Sequence, residues 1–173
     1  VWDKEKLFEV QKSIIKDNPD FIYHGMYYLP KKFGFIKKAI KYHSKNIKKP
    51  IFESLIKYGN TIANSSVVVR KKLLFDIDLL SEDVKKISWE DYDCWIRCSK
   101  KTDNFLYIPK ILGYYWIGGG NITTFKRTYV NYKNFHKFYQ KEKKFLINET
   151  KLDWYKAFLF LWYYKKRRIY RAH

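Results

Sequence analysis

Three carboxylates stand close together ahead of a tryptophan and an arginine in "SWEDYDCWIRCSKK", residues 88–101: Glu90, Asp91 and Asp93, then Trp95 and Arg97. Carboxylates so placed can cap a helix or accept a proton. Ser88 followed three residues later by Asp91 has the spacing of a capping box, and acids in a first turn complement the partial positive charge of a helix N-terminus. The same groups, held in a cleft, would instead mark a catalytic site.

Other residues with chemical potential carry less. Cys94 and Cys98 lie one turn apart on the same segment without a second Cys or His pair at metal-ligand spacing, so neither a zinc site nor a disulfide framework is expected. Acidic pairs one residue apart recur at Asp76–Asp78, "DID", and at Asp91–Asp93, "DYD". His24 in "YHGMY" is expected to be a packed strand histidine. Gly118 to Gly120 lack the following Lys-Ser of a phosphate loop and are expected to form a turn.

The elements that must position these groups follow from periodicity. From Asp3, a possible cap, Leu7, Val10, Ile14 and Ile15 recur at helical spacing, with Asn18-Pro19 as the stop. "DFIYHGMYYLP" reads as a strand, and the Lys-rich stretch 31–49 as a partly helical insert in which "FGFIKKAIKYH" is amphipathic. "IFESLIKYGN" predicts a short helix closed by Gly59, "IANSSVVVR" a buried strand, and "KKLLFDIDLLSE" a short helix and loop. A helix from Trp89 to about Lys101, two strand pieces around Pro109 and a helical tail from Thr128 complete the order. Strands alternating with helices place the chain in the α/β class.

The 173 residues suffice for one domain with a sizeable core, and 46% hydrophobic residues argue against disorder. The net charge of +19 is unevenly placed: residues 31–49 hold eight lysines and no acid, and residues 126–173 hold fourteen basic and three acidic residues. Residues 1–30 and 50–125 are close to neutral, so the body is not a basic platform. The longest apolar run, "AFLFLWYY", is far shorter than the ~20 residues of a spanning helix.

Four stretches, "VWDKEKL", "NSSVVVRKKLL", "EDYDCWIRCSKK" and "YIPKILGYYWIGGGNIT", resemble in order and spacing the second half of the catalytic domain of family-two bacterial glycosyltransferases with the GT-A fold, which build surface polysaccharide and lipooligosaccharide. The resemblance implies a partial GT-A fold, a mixed sheet with flanking helices and a helical C-terminal tail, with an acceptor-side domain at 1–125 and a basic aromatic tail at 126–173. It implies an inverting transfer with Asp91 as general base and Glu90 orienting acceptor or base. Asp93, Trp95, Arg97, Ser65, Ser66 and Asn121 fall on the substrate side, with Trp95 and Arg97 expected to pack and pair beneath the site. A divalent metal, Mn or Mg, is implied for the complete family enzyme, its Asp-x-Asp ligands expected just ahead of Val1 and absent from this chain, as is the nucleotide-binding half. Trp116 and Gly118 replace the Arg and His usual in the family's closing strand, which puts the usual metal-dependent mechanism in doubt.

The implied partners are a nucleotide sugar and a glycan or lipid-linked acceptor, with self-association through the surface that the absent half would cover. The tail joins apolar aromatics to a basic cluster, so Trp162, Lys165, Lys166, Arg167 and Arg168 are candidates for contact with an anionic membrane at the cytoplasmic face. Two alternatives are a basic aromatic module binding single-stranded nucleic acid, disfavoured because the basic residues do not interleave with the strand aromatics, and an inactive remnant.

Overall fold

The computed structural model describes residues 2–30, 40–42, 44, 46–117, 130–131, 134–135 and 137–142. The chain divides into two units, Val1–Phe138 and Tyr139–His173, and of the second only residues up to the 3-10 turn Gln140–Glu142 are described. The domain boundary expected at 125/126 lies outside the described residues, as do Asn121, Gly118 to Gly120 and the tail candidates Trp162 and Lys165 to Arg168.

The first unit is mixed α/β. Its centre is β1 (Phe21–Pro30), which pairs with β4 (Phe105–Ile117) in parallel along one edge. Two short antiparallel strands share the other edge: β3 (Val68–Val69) opposite Phe21 and Ile22, and β2 (Ile40–Tyr42) opposite Met26 to Tyr28. The sheet is therefore three rows wide although it contains four strands. Residues 40–42 correct the helical expectation for that part of the insert: next to an open edge of β1, "IKY" satisfies its backbone by pairing. The buried strand expected over "IANSSVVVR" shrinks to two residues, because Asn64–Ser66 closes into a 3-10 turn first.

Alternation along β1 builds a core on each side of the sheet. One face presents Ile22, Ile108 and Leu112 to Val10 of helix α1 (Lys6–Asp17). The opposite face stacks Phe21 on Phe105, centroids 4.2 Å apart, and sets Trp95 of helix α4 (Glu90–Ser99) edge-on against Phe21 at 5.0 Å. Tyr23 and Tyr107 extend that face. Pro109 cannot donate to a ladder, and the register accordingly slips from His24↔Ile108 to Gly25↔Ile111, which keeps the two expected strand pieces in one bulged strand. The helical spacing of Leu7, Val10, Ile14 and Ile15 is realised in α1, but only Val10 is buried, the others being exposed.

Helix α2 (Ile51–Tyr58) and helix α3 (Lys71–Phe75) match the pattern, and α2 packs beside α4 with Leu55 and Ile56 in the core. Gly59 ends α2 at φ +81° and ψ −173°, a conformation that residues with a Cβ avoid. Nothing lies within 4 Å of a Cβ built there, so the cost of Gly59→Ala is conformational. The expected loss is about 1–3 kcal/mol, read from the denaturant midpoint.

Candidate functional site

The loop 100–104 leads from α4 into β4, and Trp95, midway along the helix, rests on Phe21 at the start of β1. The helix opens on Glu90, Asp91 and Asp93 in its first turn. The capping box does not form: Ser88 is at φ +70°, its hydroxyl accepts from Asn131 Nδ2 at 2.7 Å, and the N-cap residue, Trp89, makes no side-chain cap. Asp91 Oδ1 accepts from the first-turn N–H of Tyr92 at 2.6 Å. Burial pushes the Asp91 carboxyl up to about 6, with the Glu90 charge adding to the rise and the Tyr92 N–H opposing it.

Glu90 borders a small cleft of about 140 Å³ shared with Ser81, Glu82, Asp83 and Ile87. Its Oε2 is buried without a hydrogen-bond partner among the described residues. Asp93 points the other way. It is 1% exposed, with Lys86 Nζ 2.9 Å from Oδ1 and Arg97 Nε 2.8 Å from Oδ2. Arg97 also donates to the carbonyls of Ile77 and Leu79. Trp95 is buried against the sheet, and Asp93 and Arg97 form an internal ion pair. The "DID" stretch is the loop that Arg97 holds.

Ser65 and Ser66 belong to a different neighbourhood. The Ser66 hydroxyl donates to the Ala63 carbonyl at 2.6 Å inside its own turn, and the Ser65 carbonyl accepts from Lys6 Nζ at 3.0 Å. Lys6 is buried beneath the Trp2 ring, 4.0 Å from its centroid, and burial pulls its ammonium down to about 8. The folded state therefore releases this proton before the unfolded chain does, so the buried ammonium costs stability below about pH 8 and the cost is relieved as pH rises from about 8 to about 10.5. In Lys6→Met that cost is absent. Chemical denaturation of both proteins across this range is expected to show the wild type gaining on the variant, and parallel curves would defeat the buried-ammonium assignment.

His24 is a fully buried strand histidine whose Nδ1 lies 2.8 Å from the Gly25 carbonyl, and burial pulls it down to about 4, so it is neutral at physiological pH. Cys94 and Cys98 are free and buried in α4, and their mutual hydrogen bond and burial push the Cys98 thiol up.

Several residues of the site escaped the sequence pattern. Phe135 stacks on Tyr92 at 5.3 Å and meets Trp89 edge-on, Phe138 lies 5.9 Å from Trp89, and Lys86 Nζ sits 4.7 Å over the Phe138 ring. The Tyr92 hydroxyl donates to the Leu55 carbonyl at 2.6 Å. Phe135 and Phe138 thus supply aromatic cover to the mouth of α4; the available signal was their spacing.

Among the described residues no group of three or more His, Cys, Asp or Glu side chains is arranged to hold a metal ion, and no helix is long and apolar enough to cross a membrane. Comparison with protein-family models, curated proteins and solved structures returns no match.

Proposed function

We propose that this chain is the acceptor-side part of an inverting glycosyltransferase of GT-A type, moving a sugar from a nucleotide-activated donor to a glycan or lipid-linked acceptor in bacterial surface polysaccharide or lipooligosaccharide synthesis. The observation that carries it is Asp91: a half-buried carboxylate at a helix N-terminus, raised to about 6, beside a second carboxylate with an unpartnered oxygen. A base so tuned is ionised at neutral pH yet basic enough to take a proton in the transition state.

Asp91 accepts the proton of an acceptor hydroxyl as that oxygen attacks the anomeric carbon. The bond from that carbon to the donor's diphosphate breaks, the nucleoside diphosphate leaves, and configuration inverts. Glu90 accepts a hydrogen bond from a neighbouring acceptor hydroxyl and fixes its approach. The cleft beside Glu90 admits one substituent of a sugar ring, so the acceptor lies across the open mouth of α4. For the divalent metal, Mn or Mg, the described residues offer no donor set. Peripheral attachment at the inner membrane face, through the basic aromatic tail, completes the proposal.

The test is sugar transfer, and acceptor-glycan binding, by the wild-type chain and Asp91→Asn over a panel of nucleotide sugars with and without manganese. Loss of transfer in a folded variant supports the assignment. Transfer at the wild-type rate overturns Asp91 as base, and a wild-type chain that neither transfers nor binds an acceptor overturns the function.

A further inference from the structure

The apolar face of α1 points to solvent. Leu7, Phe8 and Ile15 are 66%, 64% and 78% exposed, and Ile14 is exposed beside them. At 3.6 residues per turn these four and Gln11 fall within an arc about 120° wide, whereas Lys6 and Val10, on the inward side, are buried. A continuous apolar stripe on a surface helix marks an interaction site.

Charge placement selects the occupant. The solvent-side flank of the stripe carries Glu5 and Glu9 in its N-terminal half and Lys12 and Lys16 in its C-terminal half. Glu9 is already held by Lys110 at 2.7 Å, which leaves Glu5 exposed at one end and Lys12 and Lys16 at the other. A helix lying in a membrane surface needs a basic flank along its length, and this one changes sign from one end to the other. Two copies packed parallel would set Glu5 against Glu5. Packed antiparallel about a two-fold axis, each Glu5 faces the other copy's Lys16, and Leu7 faces Ile14.

We propose that α1 is a dimerisation helix, pairing antiparallel with α1 of a second copy of this chain. The helix is about 18 Å long, so the contact is small and the dimer weak, dissociating in the micromolar range.

Sedimentation velocity of the full chain from about 1 to 100 µM tests this. The expected result is a reversible monomer–dimer equilibrium abolished by Ile15→Glu. Glu5→Lys and Lys16→Glu are each expected to weaken it about tenfold, since each reverses two symmetric pairs, and the double variant restores it. All three positions are exposed, so the variants keep the fold. Association indifferent to Ile15→Glu, or a double variant as weak as the singles, overturns the proposal. So does a wild type monomeric throughout, whether or not it binds anionic vesicles through the stripe.

Discussion

Asp93→Ala is expected to lower the unfolding free energy by about 3–5 kcal/mol. The carboxylate holds Lys86 on one oxygen and Arg97 on the other, and the two cations are themselves only 12% and 23% exposed. Removing the acid leaves both charges in a poorly solvated place with no counter-ion. The damage spreads through Arg97, which also clamps the carbonyls of Ile77 and Leu79 around Asp78 and Leu79, two residues at φ +58° and +59°. That left-handed pair is unfavourable for side chains with a Cβ and persists because the guanidinium holds it. Asp93→Asn keeps an acceptor but no charge and is expected to fall between the two. Urea midpoints at pH 7 read the series. A loss under about 1 kcal/mol would mean that Lys86 and Arg97 turn outward to water, and the network would then be ornament rather than anchor.

How much of this was legible in the sequence depends on the range of the interactions. Helices α2, α3 and α4, and strands β1 and β4, follow from local patterns: apolar spacing, Gly59 as a stop, aromatic and β-branched runs. Pro109 even marked the bulge. What failed were features that depend on a remote partner. "IKY" at 40–42 is a strand because β1 leaves an edge beside β3, which no local pattern reports. Ser88 and Asp91 have capping spacing, yet Asn131 takes the Ser88 hydroxyl from far along the chain. Asp93 was expected on the substrate side, near Asp91, from which it is two residues away on the same turn. Rotation by about 200° aims it instead into the body, where Lys86 waits, and a sequence cannot say which side of a half-buried helix turn is the wet one.

That rotation also separates the two roles, and Asp91→Asn is expected to show it from the other side. Where Asp93→Ala destroys stability, Asp91→Asn should raise it while lowering the proposed sugar transfer about 10²–10⁴-fold, the range for loss of a general base. Asparagine keeps an oxygen for the Tyr92 N–H and removes only the charge. In the wild type the folded state holds the Asp91 proton up to about pH 6, whereas the unfolded chain releases it near 3.8. The folded form is therefore penalised as pH rises through that window: Asp91 costs nothing below about pH 3.8, and its full cost is present above about pH 6. Wild type and variant should be equally stable in acid and diverge above it, the variant leading by on the order of 2 kcal/mol at pH 8. Denaturation midpoints of both proteins from pH 4 to 8 measure the divergence, and the transfer rate of the wild type should climb through pH 6 over the same interval. A variant less stable than wild type at pH 8 would show that the carboxylate is a structural anchor like Asp93. A stable variant without transfer is the signature of a charge kept in an unfavourable place because the reaction needs it there.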